Sequence, residues 1–431
     1  DAVKGERHLL PQPLPGGRAI LFTTMNSVES ETANVVLQSL DNAEQRVLIP
    51  GAADARYVRT GHLVYMMTGT LMAVPFDVQS RQVTGAPVAL IEGVMQGLNA
   101  LSGADETGAG QFSVSASGTL LYATGGIGPI RESSMVWVDR TGVAQPLTAA
   151  PAGQYMSPRL SPDGKKVALQ VRRGASRATD VWVHDVVRGS PTRLTFDGDN
   201  RRPIWSPDGK RLVYGASTTS ANNLYAINAD GGGKPERLTT SDQLQTPSSW
   251  SSANVIAFLE RPGLGGGSTG IWVLPSDGGR KPRLFLESRF NLTYPEFSPD
   301  GHWIAYVSNE SGATEVYVQP YPGPGEKIRI STAGGIEPVW TATGRELLYR
   351  ANTGSGQGFF SAAIRSLSPF RHDTPRLLFE TRPREYASTT PIRGWEVSAD
   401  GQRFLLLRPV ESTDRPVTMM HVVLNWAEEL K

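Results

Sequence analysis

One cassette recurs along the chain and limits what it can become. Its clearest copy runs from Pro203 through Ser206-Pro207-Asp208-Gly209, then Leu212-Val213-Tyr214, Leu224-Tyr225-Ala226 and Arg237-Leu238-Thr239. The same order starts at Pro158, with Ser161-Pro162-Asp163-Gly164, Val167-Ala168-Leu169, Val181-Trp182-Val183 and Arg193-Leu194-Thr195. It starts again at Pro295, with Ser298-Pro299-Asp300-Gly301, Ile304-Ala305-Tyr306, Val316-Tyr317-Val318 and Arg329-Ile330-Ser331. Degenerate copies begin near Pro247 and Pro338. Fainter ones carry Ile20-Leu21-Phe22 with Val35-Val36-Leu37, and Leu63-Val64-Tyr65 with Leu71-Met72-Ala73-Val74. Two more carry Leu120-Leu121-Tyr122 with Val136-Trp137-Val138, and Phe404-Leu405-Leu406 with His421-Val422-Val423. The turn glycines fall roughly 43 to 57 residues apart, the period of a four-stranded propeller blade.

Each part of the cassette has a local reason. Pro presets φ for the first turn position, Asp bonds nearby backbone, and Gly accepts the positive φ that closes the hairpin. The apolar triplets are short and rich in β-branched and aromatic residues, as strands buried between stacked sheets require. Four antiparallel strands cannot bury both faces alone, so the units must stack around an axis. The expectation is an all-β propeller of four-stranded antiparallel blades, about nine repeats within a range of eight to ten. It is drawn as a single propeller over residues 1–431: degenerate blades over 1–110, well-defined repeats over 111–380, and a closing blade with a tail over 381–431. The last unit shows three strands, and an N-terminal strand is expected to complete it and leave no open edge. Residues 425–431 read as a short helical tail with Trp426 packed inward.

Composition narrows the function. The 431 residues include 46 Gly and 31 Pro, which suits many tight turns. With 42 basic and 41 acidic residues the net charge is +1, and no nucleic-acid partner is expected. The absence of cysteine removes disulfides, thiolate metal sites and a Cys nucleophile. No run approaches the ~20 apolar residues of a membrane-spanning helix. The chain starts at Asp1 rather than Met, which reads as a fragment whose upstream residues carry the targeting information.

The Ser-Pro-Asp-Gly turn, the Ile-Ala-Tyr-like and Ile-Trp-Val-like triplets and Arg-Leu-Thr together resemble the TolB-type, WD-like (PD40) propeller repeat. Three further stretches resemble the extracytoplasmic propeller of many bacterial serine/threonine protein kinases, which also exists as stand-alone proteins. These are 193–200 (Arg-Leu-Thr-Phe-Asp-Gly-Asp-Asn), 297–312 with Ser308-Asn309-Glu310-Ser311-Gly312, and Val423-Leu424-Asn425-Trp426. The likeness is good over the last 320 residues or so and loose before them. It implies an extracytoplasmic sensor or scaffold, periplasmic or at the cell surface, with a protein or peptide partner. The kinase motifs themselves are absent: no His-Arg-Asp loop, no Asp-Phe-Gly, no Gly-rich loop with a strand Lys.

No catalytic constellation emerges, so binding rather than catalysis is expected, with no cofactor and no metal. The recurrent aspartates Asp163, Asp208, Asp300 and Asp400 are explained by turn chemistry. Gly266-Gly267-Ser268-Thr269-Gly270 matches a nucleophile elbow, but precedes a strand rather than a helix. The overlapping Gly265-x-Gly267-x-x-Gly270 likewise lacks the helix that would hold a phosphate. The six histidines sit at no ligand spacing from one another. Asp197-Gly198-Asp199-Asn200 has oxygens at calcium-like intervals without the closing bidentate Glu, and a polar connection between blades is the favoured reading. Asn291-Leu292-Thr293 is a formal glycosylation sequon that opens an inner strand.

In a propeller, the segments entering the inner strands gather at one mouth of the central channel. Tyr155, Asn200, Arg201, Arg202, Gln245, Asn291, Tyr294, Glu337 and Arg393 are the candidate ligand-binding residues there, mixing aromatic, amide and charged groups. The competing reading is a lyase- or lactonase-type propeller enzyme with a metal in the channel.

Overall fold

A computed structural model describes residues 6–26, 33–98, 107–115, 118–127, 132–173, 178–217, 221–261, 269–277, 281–383, 385–387, 393–410, 419–426 and 428. Among them the regular structure is antiparallel β-sheet, with no α-helix. Chain contacts divide the molecule into two compact units. The smaller comprises Asp1–Arg131 with Ser412–Lys431, and the larger is Glu132–Glu411.

In the larger unit, five sheets are built in chain order. Each is a meander, as the hairpin turns require. Their first strands are Tyr155–Leu160, Asp199–Trp205, Leu244–Trp250, Leu292–Phe297 and Ile336–Trp340. The second and third sheets are joined by one parallel bridge between Asn222 and Leu244. The sixth sheet is made from both ends of the unit. Trp395–Val397 and Arg403–Pro409 supply its first two strands, and Ser133–Asp139 and Ala144–Pro146 the outer two.

Apolar clusters run from sheet to sheet and close on themselves. Ala168 and Val183 of the first sheet pack with Leu212 and Tyr214 of the second. Ile204 and Val213 meet Ile256 and Phe258 of the third, whose Ala257 and Val273 meet Phe297 and Ile304 of the fourth. Ala305 and Val316 meet Trp340 and Tyr349 of the fifth. Leu348 and Phe359 meet Trp395 and Phe404 of the sixth, and Leu405 and Met135 return to Val167 and Leu169 of the first. The result is a closed six-sheet propeller. At ~25 cal/mol per Å², burial between sheets is what makes each meander stable.

The Ser-Pro-Asp-Gly turns behave as the sequence requires. Ser206 Oγ donates to Asp208 Oδ1 (2.6 Å), the same carboxylate accepts Lys210 N (3.0 Å), and Arg211 N donates to Ser206 Oγ (2.9 Å). Gly209 takes φ 68°. The network is repeated at Ser161–Asp163, Ser298–Asp300 and Ser398–Asp400.

Among the described residues the smaller unit holds three sheets. Glu6–Pro13, Ala19–Asn26, Asn34–Ser39 and Gln45–Pro50 form one, and Ala53–Val58, His62–Met67 and Thr70–Asp77 lead the next. The third pairs Phe112–Val114, Thr119–Ala123 and Met420–Leu424. Trp426 is buried against Val58, Val64 and Leu120.

The repeats suggested one propeller over residues 1–431, whereas chain contacts divide the described sheets between two compact units. Six close a ring by themselves within Glu132–Glu411. The last sheet is completed by Ser133–Asp139 and not by an N-terminal strand. Two expected units also exchange partners. Val136-Trp137-Val138 pairs with Phe404-Leu405-Leu406, and His421-Val422-Val423 pairs with Leu120-Leu121-Tyr122. Pattern alone cannot separate these triplets, because each is an apolar run with one free edge to offer.

Candidate functional site

The first strands of the larger unit share a distortion. In five of them the register slips by one residue, between Met156 and Arg159, Arg201 and Ile204, Pro247 and Ser249, Thr293 and Glu296, and Ile336 and Val339. Four of the bulges hold a left-handed residue just before a proline: Ser157 (φ 53°), Arg202 (55°), Tyr294 (55°) and Glu337 (55°). All four stand four residues before the turn residue that ends the strand. A left-handed conformation costs a bulky L-residue about 1–2 kcal/mol. Bulges of this kind re-aim side chains and are over-represented beside functional sites.

Two positions further on, Arg159, Ile204, Ser249, Glu296, Val339 and Glu396 occupy equivalent places in the six sheets. Three of them enter a buried charged cluster. Arg393, 6% exposed, reaches Glu296 Oε2 (2.8 Å) in the fourth sheet and Glu396 Oε2 (2.7 Å) in its own. Arg159 donates to the carbonyls of Pro158 (2.8 Å) and Arg393 (3.3 Å). Glu337 and Arg350 form a second buried pair (3.2 Å), and Arg350 also bonds Gln357. Neighbouring sheets are stitched at the same level. Trp205 Nε1 donates to the Arg159 carbonyl (2.9 Å) and Trp340 Nε1 to that of Glu296 (3.3 Å).

Burial sets the electrostatics here. It lowers Arg159 to about 10, reinforced by the Arg393 charge. It raises Glu296 above the usual carboxylate range despite Arg393. Burial alone would lower Arg393 too, but the charges of Glu296 and Glu396 raise it. Arg202 is lowered to about 9, by burial first and then by the Arg261 and Arg201 charges.

All nine expected residues lie on the first strands of this unit or just before them, at the end opposite the Ser-Pro-Asp-Gly turns. They separate into groups. Arg201 and Tyr294 both act electrostatically on Arg202, and Arg202 and Asn291 line one cleft. Glu337 and Arg393 belong to the buried cluster. The other three serve the fold. Tyr155 packs edge-on to His184 and donates to the Pro151 carbonyl. Asn200 Nδ2 caps the Asp197 carbonyl (2.8 Å), and Gln245 is buried between Thr239 and Glu260. The reading from sequence missed Arg159, Arg261, Glu296 and Glu396. The first, third and fourth carry a legible signal, a charged residue two places before the turn Ser.

The other motifs resolve locally. Asp199 Oδ1 accepts from Thr179 N and Oγ1 (both 2.9 Å), and Asp199 pairs with Arg201, so 197–200 joins the first two sheets. Gly266-Gly267-Ser268 lies outside the described residues, while Thr269 opens a strand. The histidines are scattered: His184 is buried, His421 stacks on Tyr122 and His8 packs on Phe22. Among the described residues no three His, Cys, Asp or Glu side chains converge to hold a metal ion.

Residues 131–293 match the family described as the TolB beta propeller domain. The larger unit has a TolB-like propeller fold. A solved structure described as a putative TolB from Agrobacterium tumefaciens superposes with a TM-score of 0.51 at 17% identity, covering 65% of this chain and 99% of that one. Among curated proteins, a tricorn protease homolog of Streptomyces coelicolor is 39% identical over 80 residues, 18% of this chain and 7% of the relative. The Tol-Pal system protein TolB of Alkalilimnicola ehrlichii is 43% identical over 58 residues, 14% of this chain and 13% of the relative. The chain therefore spans only a small part of the length of these two curated relatives.

Proposed function

We propose that this chain is a non-catalytic binding propeller that works outside the cytoplasm, as a sensor or as a scaffold in an envelope assembly, with a protein or peptide as partner. The single observation that carries this reading is the gathering of Arg201, Arg202 and Asn291 at the bulge end of the first strands, where Arg202 and Asn291 line one cleft. Bulges of the same kind recur in the smaller unit at Leu10 and Asp54, so what supports binding is the polar groups gathered at this end rather than the strain itself. The buried acids Glu296, Glu337 and Glu396 are committed to arginines, which favours binding over acid–base chemistry. The name of the relative from the Tol-Pal system and the kinase-type sequence likeness support the envelope and sensor roles.

Photo-crosslinking tests it. Crosslinkers at Arg201 and Asn291 sample the bulge end, while Lys210 and His302 sample the exposed turn end. Adducts with one discrete partner from the first pair only are expected. Adducts from the turn end alone, or stoichiometric retention of a divalent ion with turnover of a sugar acid or lactone, would overturn the reading.

A further inference from the structure

Beside the ring of bulges, a cleft of about 290 Å³ opens between the third and fourth sheets. Its cationic wall is Arg202, at the bulge of the second sheet, and Arg261, at the end of Val255–Arg261 in the third. Facing them are Asn291, Thr293 and Asn309 of the fourth sheet, and the floor is Leu259, Leu292 and Val307.

The charges are not balanced. Among the described residues neither Arg202 nor Arg261 has an ion pair with a carboxylate, and Asp199 nearby is taken by Arg201. Glu260, next to Arg261 in the chain, is held by Gln245 Nε2 (2.7 Å) and Ser241 Oγ (3.2 Å). The charges of Arg201 and Arg261 act on Arg202, and of the three guanidiniums only Arg201 is paired with a carboxylate. Burial and mutual repulsion depress Arg202, and loss of hydration with the Arg201 charge lowers Arg261. Clustering like charges without counter-ions is unfavourable unless something anionic relieves it.

The neutral groups point the same way. Asn309 Oδ1 accepts the Asn291 backbone N–H (2.9 Å), which fixes the amide orientation and leaves its NH₂ as a spare donor. Threonine hydroxyls at Thr246, Thr293 and Thr314 add donors on both sides. Guanidiniums present planar forks suited to carboxylate and phosphate oxygens. Such a wall of donors over an apolar floor fits a small molecule with one oxyanion and a short carbon skeleton.

We propose that this cleft is an oxyanion-binding site for a small carboxylate- or phosphate-bearing ligand, held by Arg202 and Arg261. The proposal names a ligand class at the site of the binding reading and rests on it.

Calorimetric titration of the full chain with inorganic phosphate, N-acetylaspartate and neutral N-acetylasparagine amide tests it. Saturable one-site binding of phosphate or N-acetylaspartate is expected, and whichever binds more tightly identifies the source. The neutral amide should not bind. Arg202→Gln and, at the exposed rim, Arg261→Gln should each weaken the anion at least tenfold. Arg371→Gln, which removes an exposed charge elsewhere, should leave it unchanged. The anion should also raise the melting temperature of the native chain and not that of the two cleft variants. No saturable binding of either anion, equal binding of the neutral amide, or affinity unmoved by both cleft substitutions would each overturn the site. Because no partner is present, failure here is distinguishable from failure of the crosslinking experiment.

Discussion

At the scale of single residues, the turn aspartates show how one side chain organises a hairpin. Asp208 takes the Ser206 hydroxyl and the Lys210 amide, and these bonds hold its pKa below the ordinary value of 3.8. Asp163 and Asp400 are lowered for the same reason, the serine hydroxyl first. A depressed carboxyl contributes stability that is complete above its unfolded pKa and is lost as pH falls through the folded one. The native chain should therefore lose stability on acidification from about pH 4 downward. Asp208→Asn should show a shallower loss over that window in urea unfolding at pH 5 and pH 3. Asp208→Ala should cost up to about 1 kcal/mol at pH 7, since the hydrogen bonds it deletes are partly exposed.

At the scale of strands, edge pairing decides the outcome. Ser133–Asp139 and Arg403–Pro409 meet over seven residues in register, from Ser133↔Pro409 to Asp139↔Arg403. Val136 and Leu406 face one another and are 1% and 0% exposed. Val136→Asp places an unpaired charge in that interface and should cost several kcal/mol. Amide exchange should then accelerate across Arg403–Pro409. Val143→Asp, at a position 57% exposed, should leave those amides protected. Equal acceleration in both variants would show that the sixth sheet does not depend on this pairing.

At the scale of the whole ring, Arg393 ties distant segments together. It bridges Glu296 and Glu396, and its carbonyl accepts from Arg159, so the first, fourth and sixth sheets meet through one residue. Arg393→Ala leaves two carboxylates in a buried site without their cation, and the expected loss is about 3–5 kcal/mol at pH 7. Because burial already raises Glu296, protonation relieves the fault. The deficit should be full at neutral pH and shrink as pH falls into the titration range of Glu296, above 4.5. Paired melts of native and variant chains between pH 7.5 and pH 5 measure it, and a deficit independent of pH would show that packing rather than charge was lost.

The sequence by itself determined the hairpin turns, the apolar strands and the entry positions of the inner strands, because each is fixed by contacts within a few residues. Asp208, Gly209 and the triplet around Val213 can be read without knowing anything distant. Charged residues two places before the turn Ser, such as Glu296, were also visible as a pattern but carried no partner. Only the tertiary structure decided which sheet each late triplet joins, where the ring closes and which charges meet. Val136 pairs with Leu406 across some 270 residues, and Arg202 meets Arg261 only because the sheets pack side by side. Free energies of such contacts depend on burial and distance, and neither is encoded in the spacing of residues along the chain.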